Sequence, residues 1–584
     1  MKEWIIMGIS AAVLIAAGWR VFWNAIKNIA RGEVFDENFL MSLASIAAFA
    51  IGEYPEAAAI MLFYRIGEYF QDYAVDKSRD SIAALSDLRP DRAFLVSLGD
   101  YVPPDEVKVG DIIEIKAGER VALDGVVVDG ASFVDTSALT GESVPRKVEA
   151  GAEVLAGCVN TSGRLLVEVS RLASDSAVSR ILELVENASA KKAKTEKFIT
   201  RFAKIYTPIV TLSALLLAVI APLFLGGEWS EWIRRGVVFL VVSCPCALVI
   251  SVPLGFFGGI GAASRRGILV KGGNYLELLS KTATVVFDKT GTLTKGVFNV
   301  SQINPVGATA DELLAIAAHA ERFSEHPIAS SLRAAHSCGD CGSADVTDAE
   351  ELSGKGVSAV VKGVHTLVGT SGLLKEHGID APAVDSGGTV AHVAENGVYR
   401  GHIVISDEIK GDARAAIAAL KQAGVKKTVM LTGDAESVGR CVAAELGVDE
   451  AYTELLPAGK VEKVESLLGG GVLVFVGDGI NDAPVLARSD VGVAMGGGRD
   501  AAIEAADAVI MGGEPSKVAA AIKIARRTMR VVKQNIVFSL GVKAAVLILG
   551  ALGIASMWLA VFADVGVTFL AVINALRLLS PSVK

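Results

Sequence analysis

Asp288-Lys289-Thr290-Gly291-Thr292-Leu293-Thr294 follows directly on the apolar run 283–287, Ala-Thr-Val-Val-Phe. A short apolar run closed by a carboxylate, then a cation, hydroxyls and a permissive glycine, reads as a buried strand that ends in a reactive turn. Three further runs of the same kind, 427–432, 472–478 and 491–495, are separated by amphipathic stretches of helical period. That alternation predicts a doubly wound parallel sheet. In such a sheet the ligand site lies beyond the carboxyl ends of the strands, where Asp288, the Thr432-Gly433-Asp434 turn and Asp478 all fall. A region of different texture, 299–404, richer in Gly, His and Ser, interrupts the sheet after its first strand and reads as an inserted domain.

The residue types set the chemistry. A carboxylate that attacks the γ-phosphoryl group of ATP forms an aspartyl-phosphate and splits one hard transfer into two easier ones. Two anions must meet, so compensating charge is required nearby. Lys460, in Leu-Leu-Pro-Ala-Gly-Lys, supplies a cation, and Asp288, Thr290, Asp478 and Asp482 form a candidate Mg²⁺ set. Asp478 and Asp482 belong to a second motif, Gly477-Asp478-Gly479-Ile480-Asn481-Asp482. A lone aspartate at a strand end is usually a helix cap. Seven consecutive matching residues together with the second motif argue against that reading.

Working outward, 52% of the 584 residues are hydrophobic and the mean hydropathy is +0.47, more than soluble cores require. The charged 21% concentrate in two polar blocks, 76–203 and 264–532. Five stretches, 4–23, 207–225, 236–262, 534–553 and 557–576, are apolar enough to span a bilayer. Two shorter ones, 38–51 and 56–71, flank Gly52-Glu53-Tyr54-Pro55 as a helical hairpin, which makes seven spans. Lys27, Arg31 and the basic residues from Arg65 to Arg79 place the adjoining connections inside, so Met1 is expected outside, Lys584 inside and both polar blocks in the cytosol. A secretory signal over 1–23 is disfavoured because no small-residue cleavage site follows. The net charge of −9 and the absence of a basic run argue against nucleic acid as a partner. Six cysteines in so long a chain do not form a disulfide framework.

The strand-end motifs resemble the phosphorylation-domain signatures of P-type ATPases, and nearly the whole chain is similar to their heavy-metal-transporting subclass. The resemblance implies a multidomain membrane protein: an α-helical transmembrane bundle, a β-rich actuator domain, a Rossmann-like haloacid-dehalogenase-type α/β phosphorylation domain and an inserted α+β nucleotide-binding domain. It divides the chain into first transmembrane helices at 1–75, an actuator domain at 76–203 and transmembrane helices with the Cys-Pro-Cys motif at 204–263. The phosphorylation domain is expected at 264–298 and 405–532, the nucleotide domain at 299–404 and the last two helices at 533–584. Lys289, Thr290, Thr432 and Asp434 join Asp288 and Lys460 as catalytic residues. Thr140-Gly141-Glu142-Ser143, within the β-rich block 95–175, resembles the actuator loop, with Glu142 orienting the water that dephosphorylates the aspartate. Ser324-Glu325-His326-Pro327 resembles the nucleotide-domain signature. Glu321, His326, Gly354 and Gly356 are then the adenine-site positions, with His326 stacking on the base or hydrogen-bonding to it.

Ser243-Cys244-Pro245-Cys246 lies in the middle of an apolar span, where two thiols point to a bound ion. Residues i and i+2 lie about 200° apart on an ideal helix, but Pro245 opens the helix locally and lets both sulfurs face one ion. Soft thiolates suit Zn²⁺, Cd²⁺, Pb²⁺ or Cu⁺ alike. Charge counting chooses among them. Two thiolates and Asp564 carry −3, a divalent ion brings the site to −1, and Lys543 brings it to neutrality. Lys543 and Asp564-x-Gly566 also match the zinc, cadmium and lead branch of the family, with Lys543 as a built-in counter-ion, while the Tyr-Asn and Met-Ser patterns of copper exporters are absent. The resemblance places Glu56 and Glu68 on the metal's exit route.

The expectation is therefore a monomeric, multi-pass pump of the plasma (inner) membrane that uses ATP with Mg²⁺ to export Zn²⁺, Cd²⁺ or Pb²⁺. Moving a doubly charged ion outward against 100 mV costs about 4.6 kcal/mol, which a phosphoenzyme cycle can drive. A Cu⁺ exporter is the rival within the class. A membrane-tethered phosphatase shares the aspartyl nucleophile but needs neither actuator loop nor intramembrane thiols. A metal sensor leaves the Asp-Lys-Thr-Gly-Thr motif unexplained. Relative to the family, a leading span and a Cys-x-x-Cys domain are missing, so the chain reads as truncated or natively short. Cys338-Gly339-Asp340-Cys341 has metal-ligand spacing but reads as a Gly-rich loop, and Cys158 and Cys441 read as small core residues.

Overall fold

The computed structural model describes residues 2–32, 37–83, 90–136, 145–176, 178–179, 193–242, 246–324, 326–336, 346–352, 355–382, 384, 386–478, 482–496 and 504–579. The chain divides into two compact units, Met1–Lys281 with Ala521–Lys584, and Thr282–Ala520.

The first unit carries the apolar helices. Lys2–Ala30, Glu37–Ala50 and Tyr54–Ala83 come first, followed by Lys194–Leu225, Trp229–Val242, Cys246–Ser264, the long Ser516–Ala551 and Met557–Leu576. Among the described residues, five helical spans are long and apolar enough to cross a membrane, and Glu37–Ala50 is a shorter apolar helix. The hairpin expected at 52–55 is present. Gly52 turns the chain at φ +90°, and the carbonyl of Glu53 accepts from the amide of Ala57 to start the return helix. The stretch 236–262, expected as one span, falls within the candidate span Trp229–Ser264, of which Trp229–Val242 and Cys246–Ser264 are helical and 243–245 lie outside the described residues. Several helices also outrun their apolar stretches. Ser516–Ala551 begins well before residue 534 because its polar first half is a good helix former and needs no lipid to stay wound.

The bundle is apolar on its outside as well as in its core, unlike a water-soluble protein. Leu40, Ile60, Met61, Val241, Leu254 and Val561 pack inside, while Trp4, Trp19, Trp23, Ile209, Leu212 and Phe224 face outward. Apolar side chains on both the inside and the outside match a hydrocarbon solvent. The same unit holds the β-rich block expected at 95–175. One antiparallel sheet runs in the order Asp100–Val102, Ala93–Leu95, Ile112–Ile115, Leu165–Val169, Gly125–Asp129, Glu153–Val154, and a smaller one joins Arg146–Val148, Ser132–Asp135 and Val159–Asn160.

The second unit is built on the parallel sheet. Its strands run Ala508–Ile510, Val491–Met495, Val472–Gly477, Thr282–Asp288, Lys427–Leu431, Glu450–Tyr452, with Phe287 and Phe475 fully buried. Thr282–Asp288 is central, so its carboxyl end is flanked by the ends of Lys427–Leu431 and Val472–Gly477. The inserted region forms an antiparallel sheet in the order Thr294–Pro305, Val398–Ile409, Thr389–Glu395, Val364–Gly369, Gly356–Val361, Val346–Leu352. Helices Ala310–Ala320 and Pro327–Ala335 accompany it, and Leu313, Ala317 and Leu332 join the sheet residues Val368, Val393 and Ile403 in one core. Its two longest strands, Thr294–Pro305 and Val398–Ile409, pair from Thr294↔Ile409 to Pro305↔Gly401 and run across residues 298 and 405, where the domain boundaries were expected.

Candidate active site

Asp288 closes the central strand and is only 5% exposed. After it the chain makes the tight turn Lys289–Leu293, with Gly291 at φ +72°. A Cβ on Gly291 would overlap the Asp478 carboxylate, so glycine is required there for two reasons, backbone angle and close approach. Lys460, in the first turn of the helix Pro457–Leu467, donates through Nζ to Asp288 Oδ1 at 2.5 Å and to Asp482 Oδ1 at 3.2 Å. Oxygens of Asp288, Asp478 and Asp482 all lie within 4.8 Å of one another. Lys289 is buried and forms an ion pair with Asp434. Thr432 Oγ1 donates to Asp434 Oδ2 at 2.9 Å and accepts from the Asp434 amide at 3.1 Å, which fixes that carboxylate at the next strand end. Thr290 sits exposed in the turn.

Burial pushes the Asp288 carboxyl up to about 7, with the Asp482 charge adding to the rise and Lys460 opposing it. Burial alone would lower Lys460, but the charges of Asp288 and Asp482 outweigh it and hold the ammonium above its ordinary range. Asp478 is raised as well, by burial and then by Asp482. Three carboxylates therefore crowd around one cation, an arrangement short of positive charge. Hard oxygen donors in that position fit a small divalent cation such as Mg²⁺.

In the inserted domain, Glu321 is buried just past the Ala310–Ala320 helix, and burial pushes its carboxyl up to about 7. His326 caps the Pro327–Ala335 helix: its Nδ1 accepts from the Ile328 amide at 3.2 Å, while its ring is exposed. Capping and base contact are compatible, since only one ring nitrogen is engaged. Gly356 begins a strand at φ +140°, pairing with Gly369. Gly354 lies outside the described residues, as do Glu142, Cys338 and Cys341.

In the membrane unit Lys543 Nζ donates to Asp564 Oδ1 at 2.5 Å and to the carbonyl of Val242 at 3.2 Å. Val242 is the last residue before Ser243-Cys244-Pro245. Cys244 and the Cys246 side chain lie outside the described residues. Glu68 pairs with Arg65 and, with Asp564, lines a small cavity of about 30 Å³, whereas Glu56 accepts from Trp558 Nε1 at 3.2 Å. Of the remaining cysteines, Cys158 is buried and pushed up to about 12 by that burial. Cys441 is exposed, not a core residue as expected, because it falls on the outer face of the helix Glu436–Leu446.

Residues 88–186 match the P-type ATPase actuator domain, and residues 282–490 match the haloacid dehalogenase-like hydrolases. A cadmium, zinc and cobalt-transporting ATPase of Bacillus subtilis (strain 168) is 56% identical over 578 residues, which cover 97% of this chain and 82% of that protein. The chain belongs to the heavy-metal branch of the P-type ATPases. This ATPase is also 53% identical over 579 residues to a zinc-transporting ATPase of Synechocystis sp. (strain ATCC 27184 / PCC 6803 / Kazusa), covering 97% of this chain and 80% of that one. A crystal structure of a zinc-transporting PIB-type ATPase in the E2.Pi state superimposes with a TM-score of 0.62 at 36% identity, over 99% of this chain and 98% of the other.

Two groups of the ATPase site carried no signal in the sequence. Lys410 Nζ donates to the carbonyls of Gly291 at 2.6 Å and Gly513 at 2.8 Å, tying the phosphorylation turn to a distant loop. Burial pushes its ammonium down, and the Asp478 charge opposes that. Thr294 Oγ1 donates to Asp407 Oδ2 at 2.5 Å, which anchors the far end of the turn. Neither Lys410 nor Asp407 lies in a motif, and each acts from across the inserted domain.

Proposed function

We propose that this ATPase exports Zn²⁺, and with it Cd²⁺ and Pb²⁺, from the cytosol through a phosphorylated Asp288. The observation that carries the cargo reading is the buried pair of Lys543 and Asp564, bonded to the carbonyl that leads into Cys-Pro-Cys. A fixed cation beside a carboxylate and two thiolates leaves room for two positive charges, not one. The relatives named for cadmium, zinc and cobalt transport support the same choice.

In the phosphorylation step Lys460 holds one oxygen of Asp288, and the other attacks the γ-phosphorus of ATP. The bond from that phosphorus to the bridging oxygen breaks, and its electron pair leaves with ADP. Asp288, Thr290, Asp478 and Asp482 are the residues that would hold Mg²⁺, which when bound neutralises phosphate charge. Lys289 with Asp434 and Thr432 frames the pocket for the transferred group. Glu142 then orients a water that attacks the acyl phosphate, takes its proton and releases inorganic phosphate. Glu321, His326, Gly354 and Gly356 seat the adenine in the inserted domain, and Glu56 and Glu68 conduct the released ion. Lys543 takes the ion's place beside Asp564 once it leaves. We place the pump in the plasma membrane, as a monomer.

ATP hydrolysis by the full chain in lipid, titrated with Zn²⁺, Cd²⁺, Pb²⁺ and Cu⁺ under reducing conditions beside an Asp288→Asn control, tests this reading. Stimulation by the divalent ions that the control abolishes supports it. Stimulation by Cu⁺ alone overturns the charge argument, and metal-independent turnover points to the phosphatase.

A further inference from the structure

An open groove of about 900 Å³ runs along the Ser516–Ala551 helix, away from both sites described above. Its walls include Lys281, Arg526, Arg530 and Lys533, then Val537 and Phe538, and no acidic side chain. Arg526, Arg530, Lys533 and Val537 follow one another at intervals of four, three and four residues, which places them on one helix face. Along that face the character changes from basic to apolar where the membrane-spanning half of the helix begins, near residue 534. Val537 and Phe538 are 72% and 42% exposed.

The charges are unequal in their commitments. Lys281 is paired with Glu277 at 2.7 Å, and Arg526 donates through Nε to the carbonyl of Ser280 at 3.2 Å. Arg530 and Lys533 have no carboxylate partner among the described residues, and both are exposed. Besides the paired Lys281, the cations Arg526, Arg530 and Lys533 thus line one groove with a wall of exposed hydrocarbon immediately beyond them. A free anion would have no use for the apolar end, and a protein helix would find no reason for the charge. A molecule with a phosphate at one end and acyl chains at the other satisfies both.

We propose that this groove is a binding site for an anionic phospholipid of the cytosolic leaflet. Its phosphate sits among Arg526, Arg530 and Lys533, and its chains lie along Val537 and Phe538. The inference rests on the membrane reading of the Ser516–Ala551 helix but not on the identity of the cargo.

The test uses the full chain in nanodiscs of phosphatidylcholine with a minor fraction of phosphatidylglycerol bearing a photoactivatable acyl chain, together with native mass spectrometry of retained lipid. Wild type should retain phosphatidylglycerol over phosphatidylcholine and crosslink within 526–538. Arg530→Gln with Lys533→Gln should weaken retention about 30-fold, given the attraction of each basic side chain to an anionic surface. The charge-conserving pair Arg530→Lys with Lys533→Arg should retain lipid within about threefold of wild type. Equal retention of the two lipids by wild type, crosslinks elsewhere in the chain, or undiminished retention by the Gln pair would overturn the proposal. So would displacement of the lipid by millimolar inorganic phosphate, which would make the groove a free-anion site. Zinc-stimulated ATPase measured on the same samples separates failure of the lipid site from failure of the pump reading.

Discussion

Lys543 and Asp564 meet Nζ to Oδ1 at 2.5 Å from two consecutive membrane helices, with 4% and 8% of their surfaces exposed. A lone ionisable group is costly in hydrocarbon, so each is the condition for the other. Breaking such a pair by removing one partner costs about 3–5 kcal/mol, whereas replacing both with apolar groups is often neutral. Lys543→Ala should therefore lower the thermal stability of the detergent-solubilised protein and abolish most zinc-stimulated turnover. Lys543→Met with Asp564→Leu should recover the stability without the turnover. Recovery of both would remove the pair from the transport mechanism.

Lys460 is the cation that holds Asp288 and Asp482 together. Replacing it with methionine leaves two buried carboxylates facing each other and takes a preorganised charge from the transferred phosphoryl group. The phosphoenzyme formed from labelled ATP should fall by about 100-fold or more, with nucleotide binding to the inserted domain changed little. A variant that phosphorylates at the wild-type rate would reassign Lys460 to a structural role.

Glu321 gives a pH signature that is independent of the phosphorylation site. Burial pushes its carboxyl up to about 7, against the hydrogen bond with Ser324, with the Glu351 charge adding and Arg333 opposing. The unfolded value is about 4.3, so between the two the native state binds the extra proton. Stability from this group is present at low pH, falls as pH rises through that window and stays flat above it. Glu321→Gln should then stabilise the inserted domain by roughly 1–3 kcal/mol at pH 8 and by almost nothing at pH 4.5. Amide exchange in the strand Gly356–Val361 of the full-length protein reads the difference. Equal protection of the two proteins at pH 8 would show that Glu321 ionises freely.

How much of this was legible in the sequence depended on whether a contact is made within a motif or across the fold. Asp288, Thr432, Asp434 and Asp478 could be grouped in advance because a parallel sheet delivers strand ends to one edge, and the strands could be read from their apolar runs. Lys460 and Asp482 came from motifs that carry charge at fixed spacing. Lys543 and Asp564 were legible because an ionisable group in an apolar helix needs a partner. Lys410 was not, since its partners are backbone carbonyls at Gly291 and Gly513 and no side-chain pattern marks a carbonyl. Cys441 was misplaced because a small residue on an amphipathic helix gives little sign of which face it occupies.

Lys410 provides the last prediction, and it concerns positioning rather than contact with the nucleotide. Its ammonium joins the carbonyl of Gly291, the turn residue whose missing Cβ admits Asp478, to that of Gly513. Without it the turn keeps its sequence but loses the strut that sets its distance from the Asp478 carboxylate. Hydrogen bonds to a charged group are worth about 1.5–3 kcal/mol, so Lys410→Met should slow phosphoenzyme formation by roughly 10- to 100-fold. Because the inserted domain is untouched, the ATP concentration for half-maximal rate should shift no more than about twofold, a kcat effect without a KM effect. Lys410→Arg, which can still reach two carbonyls, should recover part of the rate. A Met variant that instead weakens ATP binding in proportion to its rate loss would place Lys410 in nucleotide contact.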